Sequence, residues 1–294
     1  MTRTTQFRPR RSCLYMPGAN PRALEKAKSL SADMLILDLE DAVAPDAKAD
    51  ARQVILDAVN ERAYGGREVV IRINGLDTQW GLDDLKMAVS ARPDGILVPK
   101  VISGEQVLEI DKALSDAGAP TDLGLWVMIE MPLAILNIQD IAAVSQQSRL
   151  TGFVMGTNDL AKEFNAVATA DRFAFQVPLA LALAAARAYG LVAIDGVYND
   201  IKNEEGLVAE CEQGRVLGFD GKTLIHPAQL EPANRAFSPD PADITQAEAV
   251  IEAFSLAENQ GKGVIKVNGK MTELLHLEQA RRLVAINAAI LAAS

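Results

Sequence analysis

Short apolar runs alternate with longer amphipathic segments from residue 12 to about residue 236. The short runs are rich in Val, Ile and Leu, and this continuous apolar character is typical of parallel strands covered on both faces. They predict eight strands, at 12–17, 32–40, 68–74, 95–100, 123–130, 151–156, 191–197 and 221–226.

Each predicted strand is followed by a helical segment. Asn20 before Pro21 is a helix start signal, and Pro132 and Pro227 also stand at first helical positions. Further helices are predicted at 48–64, 78–90, 104–117, 158–164, 177–189 and 202–217. Strict alternation of eight strand–helix units predicts an α/β fold, a (β/α)₈ TIM barrel. A doubly wound open sheet is the alternative, but the segment MPGAN after the first strand is not its Gly-rich dinucleotide loop.

The pattern changes after residue 238. The segment SPDPAD resembles a linker, and helices are predicted at 243–259 and 273–292. Between them, Asn268-Gly269 is a hairpin turn signal. The prediction is a TIM-barrel catalytic domain over 1–238 and a small helical and hairpin lid or oligomerisation segment over 239–294.

Charge, cysteine spacing and the length of the apolar runs limit the partners that this chain is expected to bind. The chain of 294 residues has a net charge of -10 and no basic face, so nucleic acid is not an expected partner. Cys13 and Cys211 lack zinc-site spacing and are expected to be reduced thiols of a cytoplasmic protein. The longest C-terminal apolar run, LVAINAAILAA, is too short to cross a bilayer, so no membrane association is expected.

Ionisable side chains stand at the carboxyl ends of nearly all the predicted strands. In TIM-barrel enzymes these ends build the active site, so the pattern predicts an enzyme with a charged mouth rather than an inert barrel. The residues are Asp38, Glu40, Asp41, Arg72, Lys100, Glu130, Asp159, Asp195 and His226.

Glu130 and Asp159 are the candidate metal ligands. Both offer hard oxygen atoms at adjacent strand ends, and no Cys or His cluster accompanies them. Mg²⁺ fits this donor set best, and Mn²⁺ is also possible. The alternative is a structural network in which each carboxylate pairs with Arg72 or Lys100.

Arg72 lies between apolar neighbours in VVIRIN and therefore needs an anion. That anion is a substrate oxygen or the Glu40–Asp41 pair, and a purely structural salt bridge is the alternative. Asp38 and Glu40 share one face of a strand, whereas Asp41 turns away. For His226 a capping role is favoured over a catalytic base, and for Lys100 a charged partner role is favoured over a Schiff base.

Eight motifs carry a family resemblance over residues 11–229. They are RSCLYMPGAN, ILDLEDAV, VIRIN, VPK, IEMP, GTNDL, DGVYND and GKTLIHPAQ. In this order they resemble the citrate lyase beta-subunit-like group of the HpcH/HpaI aldolase superfamily, which includes malyl-CoA, citramalyl-CoA and citryl-CoA lyases.

The resemblance implies a TIM barrel that assembles as a homotrimer or hexamer. It implies Mg²⁺ on Glu130 and Asp159, and it makes Arg72 a contact of the substrate and the transition state. It also implies that the first strand and the following helix hold coenzyme A, for which Tyr15, Arg22 and Lys26 are the local candidates.

One segment departs from the family pattern. Where the family often has a GKMVD-like segment with an active-site aspartate, this chain has GKMTE, so Glu273 stands at that place. The arm is one methylene longer, and a shift of about 1 Å can cost on the order of a hundredfold in rate. Glu273 is therefore either a catalytic base or an ordinary acid at a helix start.

The resulting functional prediction is a Mg²⁺-dependent carbon–carbon lyase. It would cleave or form a 3-hydroxy-dicarboxylyl-CoA thioester, with an oxo acid and acetyl-CoA as the other partners. Glu273 would act as base and Arg72 would stabilise the developing oxyanion, while Asp38, Glu40 and Asp41 position Arg72. The alternatives are an aldolase acting on free pyruvate and an aldehyde, a malyl-CoA thioesterase, and a non-catalytic barrel that binds CoA esters.

Overall fold

A computed structural model describes residues 7–293 of the chain. The chain divides into two compact units, Arg10–Phe237 and a smaller unit made of residues 7–9 and 238–293. The ends of the two predicted domains, residues 1–6 and 294, lie outside the described residues.

The larger unit is a closed barrel of eight parallel strands. β1 pairs with β2 on one side and with β8 on the other, so the sheet has no free edge. This closure confirms the predicted TIM barrel and excludes the open doubly wound sheet. The strands are β1 Ser12–Pro17, β2 Met34–Asp38, β3 Glu68–Arg72, β4 Gly95–Val98, β5 Gly124–Ile129, β6 Leu150–Met155, β7 Val192–Asp195 and β8 Gly221–Leu224.

Helices follow the strands as predicted. Asn20 caps the first helix by accepting a hydrogen bond from the Ala23 N–H, with Pro21 at the first helical position. The helices of this unit are α1 Pro21–Ala27, α2 Lys48–Asn60, α3 Gly81–Ala91, α4 Gly104–Asp116, α5 Pro132–Leu136, α6 Ile138–Ala143, α7 Thr157–Glu163, α8 Gln176–Tyr189, α9 Glu204–Leu217 and α10 Leu230–Ala236.

Several strands end earlier than the apolar runs suggest. β2 stops at Asp38 and β4 stops at Val98, so Glu40 and Lys100 lie in the loops beyond them. The side chains of these loop residues are therefore placed by turn geometry and not by strand alternation.

Strand alternation decides which side chains enter the barrel lumen. In β2, Met34 and Ile36 belong to a small buried cluster separate from the main core, whereas Leu35 and Leu37 pack in the main core beneath the helices. Residue 38 is in phase with the lumen side. The same phase holds for Tyr15 after Cys13, Arg72 after Val70, and Glu130 after Met128.

The amino-terminal part of the lumen is filled. Trp126 is 1% exposed, and a Cβ atom added to Gly95 or Gly152 would lie within 3.0 Å of its ring. Arg10 stacks on the Trp126 ring at 5.2 Å and forms an ion pair with Glu68. Together these residues make a packed floor.

The smaller unit has a core of its own. It contains α11 Pro241–Ser255, an antiparallel hairpin of β9 Val264–Val267 and β10 Lys270–Glu273, and α12 Leu274–Ala293. Asn268 and Gly269 have φ values of 49° and 81°, the left-handed turn that this dipeptide favours. The proposed lid and oligomerisation roles of this unit stay predictions. None of the described helices is long and apolar enough to cross a membrane.

Candidate active site

Arg72 is the centre of the charged cluster at the carboxyl ends of the strands. It is 7% exposed, and its Nε and Nη2 donate to the two oxygens of Asp38, both at 2.7 Å. A paired geometry of this kind fixes the plane of the guanidinium group. Asp38 is held in turn by the N–H groups of Glu40 and Ala42.

Tyr15 stacks against Arg72. The guanidinium carbon lies 4.8 Å from the centre of the Tyr15 ring. Burial raises the pKa of the phenol, Arg72 opposes this shift and the nearby carboxylates add to it, so the Tyr15 hydroxyl stays protonated and uncharged at neutral pH. The structure therefore places Tyr15 in the lumen beside Arg72, and its predicted contact with coenzyme A stays a prediction.

Glu40 joins Arg72 to Lys100. Its Oε1 accepts a hydrogen bond from Lys100 Nζ at 2.7 Å, and its Oε2 lies 2.7 Å from Arg72 Nη1. The second contact is an ion pair without hydrogen-bond alignment, so Oε2 is buried without a donor. Burial raises the pKa of Glu40, and Arg72 and Lys100 oppose this shift. Asp41 is mostly exposed, 3.6 Å from Arg72 Nη1.

Glu130 follows β5 directly and is 1% exposed. Its Oε1 accepts a hydrogen bond from the backbone N–H of Lys100 at 2.8 Å, while its Oε2 is buried without a hydrogen-bond partner. Burial first, and then the charges of Glu40 and Asp159, raise the pKa of Glu130 to about 8. A buried carboxylate with one oxygen lacking a donor is the state that a bound cation would relieve.

Asp159 lies in the first turn of α7, where an acid is favoured by the helix dipole. It is partly exposed, and no described residue donates a hydrogen bond to its carboxylate. Gly156 precedes α7, and a Cβ atom there would lie 2.4 Å from Glu130 Oε2. Only glycine therefore leaves room for the Glu130 carboxylate at this position.

These residues fit a magnesium ion. Mg²⁺ is usually held by one or two carboxylates and keeps other positions for water or substrate. Residues 7–293 contain no group of three or more His, Cys, Asp or Glu side chains arranged to hold a metal. A site built on Glu130 and Asp159 would thus leave several coordination positions open.

We call Asp38, Glu40, Arg72, Lys100 and Glu130 the mouth network. It contains three acids and two bases, so it carries one excess negative charge when all are ionised. Asp159 adds another negative charge next to it. The network is therefore short of positive charge.

Lys48 holds the loop that carries Glu40. The sequence does not predict Lys48 as a site residue. It is buried, and its Nζ donates to the carbonyl groups of Leu39 and Glu40 at 2.8 and 2.9 Å. Burial lowers its pKa. This contact fixes the loop that carries Glu40, and a lysine in the first turn of a helix gives no sequence signal of such a role.

Asp195 does not join the mouth network. Because Ile194 belongs to the lumen cluster, Asp195 faces the helices instead. There Arg172 Nη1 contacts both Asp195 oxygens at 2.7 and 2.8 Å, and Lys222 Nζ lies 2.6 Å from Glu210 and 3.3 Å from Asp195. We call Arg172, Asp195, Glu210 and Lys222 the β7–β8 network.

The remaining predicted residues are not members of the mouth network as defined above. His226 caps a short 3₁₀ helix, Pro227–Gln229, by accepting the Ala228 N–H on its Nδ1, which confirms the favoured capping role. Arg22 and Lys26 are exposed on α1. Glu273 is the exposed last residue of β10 in the smaller unit. The functional roles of Arg22, Lys26 and Glu273 stay predictions.

Known proteins resemble this chain over nearly its whole length. The HpcH/HpaI aldolase/citrate lyase model matches residues 11–227. A (3S)-malyl-CoA thioesterase of Cereibacter sphaeroides is 51% identical over 287 residues, which are 98% of this chain and 98% of that protein. A citrate lyase subunit beta of Haemophilus influenzae is 36% identical, covering 92% of this chain and 94% of that protein.

A solved structure is also similar. It is protein CitE from Mycobacterium tuberculosis in complex with magnesium, acetoacetate and coenzyme A. Its TM-score is 0.76 at 27% sequence identity, and the match covers 94% of this chain and 97% of that chain.

Proposed function

Since this chain belongs to the HpcH/HpaI aldolase/citrate lyase family, we propose that it is a Mg²⁺-dependent hydrolase of a malyl-CoA-type thioester. The substrate class is a 3-hydroxy-dicarboxylyl-CoA, and the products are the free dicarboxylic acid and coenzyme A. Identity of 51% with a (3S)-malyl-CoA thioesterase supports thioester hydrolysis ahead of carbon–carbon cleavage.

The observation that carries the metal requirement is the state of Glu130. One of its oxygens is fixed by the Lys100 N–H, and the other is buried with no donor. We assign Glu130 and Asp159 as the two protein ligands of Mg²⁺. A divalent cation held there supplies Lewis-acid polarisation of the substrate's carbonyl and carboxylate oxygens.

Arg72 would stabilise the charge that develops on the thioester oxygen. Hydrolysis adds a water oxygen to the carbonyl carbon, breaks the carbon–sulfur bond and returns a proton to the departing thiolate. The carbonyl oxygen becomes negative during the addition. Arg72 is pre-aligned by Asp38, Glu40 and Tyr15, so it offers fixed positive charge without reorganisation.

A direct test is incubation with (3S)-malyl-CoA and Mg²⁺. Hydrolysis would release a free thiol and malate, and EDTA should abolish both. Glu130→Gln and Asp159→Asn should remove the Mg²⁺-dependent rate while the protein stays folded. Glu163→Gln on the same helix α7 is the matched control and should retain it. Full thiol release in EDTA would refute the proposal.

A carbon–carbon lyase is the second candidate. The similarity to citrate lyase subunit beta favours it, and the same Arg72 would stabilise an acetyl-CoA enolate. The assay separates the two reactions, because cleavage gives glyoxylate and acetyl-CoA with no free thiol. Absence of every product with Mg²⁺ present would favour a non-catalytic barrel that binds CoA esters.

Glu273 is proposed as the base on the family resemblance alone. Glu273→Gln should then lower kcat at least tenfold while Mg²⁺ binding persists. Glu278→Gln on α12 is its control. The roles of Arg22 and Lys26 toward coenzyme A and the assembly into trimers or hexamers are likewise proposed on the family resemblance.

A further inference from the structure

Lys100 has an unusual backbone conformation. Its φ is 56°, in the left-handed region that β-branched residues avoid and that other non-glycine residues adopt only at a cost. In this conformation its N–H points at Glu130 and donates to Oε1 at 2.8 Å. The strained backbone thus determines which Glu130 oxygen accepts a hydrogen bond from the protein, and it leaves the other oxygen without a donor in the described structure.

The Lys100 side chain contacts a second carboxylate, that of Glu40. Its Nζ reaches Glu40 Oε1 at 2.7 Å, although the side chain remains 48% exposed. Glu40 has only two cationic neighbours within 4.0 Å in the described structure, Lys100 and Arg72. The amine therefore shares Glu40 with the guanidinium group and fixes the carboxylate from the opposite side.

We propose that Lys100 is a positioning residue that sets the metal ligand and the catalytic arginine separately. Its left-handed backbone N–H orients Glu130 for the cation, and its amine holds Glu40 against Arg72. The proposal rests on the proposed Mg²⁺-dependent function of this site. Lys100 itself need not touch the substrate.

The two actions can be separated because glycine adopts the left-handed conformation without cost. Lys100→Gly keeps the N–H and the backbone conformation but removes the amine. Lys100→Val also removes the amine, and its β-branched side chain disfavours the left-handed conformation. The two variants therefore differ in the backbone contact and share the loss of the side-chain contact.

Magnesium affinity tests the backbone action. It can be measured without substrate, from the rise of the melting temperature with MgCl₂ concentration. We expect Lys100→Gly to bind Mg²⁺ at least as tightly as the parent protein, because a cation has been removed from a negatively charged site. We expect Lys100→Val to bind about tenfold more weakly, as is typical when a group orienting a metal ligand is lost.

Steady-state kinetics tests the side-chain action. With saturating Mg²⁺, kcat for the thioester should fall in both variants on the order of tenfold or more, because Glu40 and Arg72 lose their alignment. KM should change less than kcat. Replacement by glycine at a second exposed left-handed residue, Arg92→Gly (φ of 53°), is the control and should change neither quantity.

The Mg²⁺ affinities test the backbone action of Lys100, and the kcat values test its side-chain action. Equal Mg²⁺ affinity in Lys100→Gly and Lys100→Val would overturn the backbone action, and an unchanged kcat in Lys100→Gly would overturn the side-chain action. If Lys100→Val does not fold, Lys100→Ala imposes a smaller conformational cost on the same contact. If the parent protein turns over no CoA thioester, the proposed function fails, but the Mg²⁺ measurements still decide the backbone action.

Discussion

The barrel contains two charge networks that differ in their electrostatic balance. The β7–β8 network has two acids and two bases, and Lys222 and Asp195 are both 0% exposed. The mouth network has three acids and two bases and contains a buried Glu130 oxygen without a donor. The mouth network lies at the carboxyl ends of β2 to β5, whereas the β7–β8 network joins the last residue of β7 to β8 and α9.

The difference teaches that burial of charge alone does not mark a functional site. A buried ionic cluster is stable when its charges cancel and its polar atoms find partners. The β7–β8 network meets the charge condition within the chain, although Arg172 Nη2 is buried without a hydrogen-bond partner among the described residues. The mouth network does not: together with Asp159 it carries two excess negative charges when all groups are ionised, which is the charge that a divalent cation would balance. Four predictions test this contrast.

The largest effect is expected when one lysine is removed from each network. Lys222→Met should lower the free energy of unfolding by about 3–5 kcal/mol, because it leaves buried acids without compensation. Lys100→Met should lower it by less than about 1 kcal/mol, because its side chain is half exposed. Urea unfolding of both variants measures the difference, and similar losses would remove the distinction between the networks.

Neutralising one acid in each network should change stability in opposite directions. Burial raises the pKa of Glu130 to about 8 from the ordinary 4.5 of an exposed glutamate, so burial of this carboxyl costs about 3 kcal/mol at pH 7. Glu130→Gln should raise the stability of the metal-free protein by up to that amount and abolish the stabilisation by Mg²⁺. Asp195→Asn should lower stability at any Mg²⁺ concentration. A destabilised Glu130→Gln would contradict the charge deficit.

Replacing a glycine beside each network by alanine should weaken Mg²⁺ binding in the mouth network only. In Gly156→Ala the new Cβ would lie 2.4 Å from Glu130 Oε2, so the carboxylate must move. We expect a loss of about 1–3 kcal/mol in stability and of 10–100-fold in Mg²⁺ affinity.

Gly214→Ala is the matched case in the other network. Its Cβ would lie 2.8 Å from Asp195 Oδ2, and the gain in helix propensity offsets part of the strain. Its Mg²⁺ affinity should stay at the parent value. Equal Mg²⁺ affinity in Gly156→Ala would show that Glu130 is not a ligand.

The smallest effect concerns a thiol beside the β7–β8 network. Burial raises the pKa of Cys211 to about 11; Lys222 and Arg172 lower it, while Asp195 and Glu210 raise it. The unfolded thiol ionises first, so stability should fall as the pH rises from 9 toward 11, by about 1.4 kcal/mol at pH 10.

Urea unfolding at pH 8, 9 and 10 checks this expectation, with Cys211→Ala as the control that lacks this contribution. The native thiol should also react slowly with thiol reagents at pH 8. Rapid native-state reaction would mean that Cys211 is not buried in the folded protein.

The barrel and much of its charged mouth could be predicted from the sequence, because both follow from simple periodicities. Continuous apolar runs gave the strands, and alternation of period two places Asp38, Arg72 and Glu130 on one side of them. The same rule, applied to Ile194, assigns Asp195 to the helix side. If every ionisable residue at a strand end is assigned to the mouth, without regard to which face of the strand it lies on, the number of groups in the mouth is overstated.

The contacts made by loops could not be predicted in this way. Lys100 adopts a left-handed conformation that no property of lysine favours, and its N–H rather than its amine contacts Glu130. The contact of Lys48 with the carbonyl groups of Leu39 and Glu40 is likewise set by tertiary packing. Such contacts depend on where two chain segments meet, and residue type alone does not encode that.

The packed floor of Arg10, Glu68 and Trp126 has a kinetic consequence. These side chains close the barrel lumen at its amino-terminal end, so no molecule can pass through the lumen from end to end. In the proposed reaction, a substrate that binds at Arg72 would have to leave as product by the same open end of the barrel. Departing molecules therefore occupy the route of arriving ones, and accumulated product should slow turnover by obstructing the entrance.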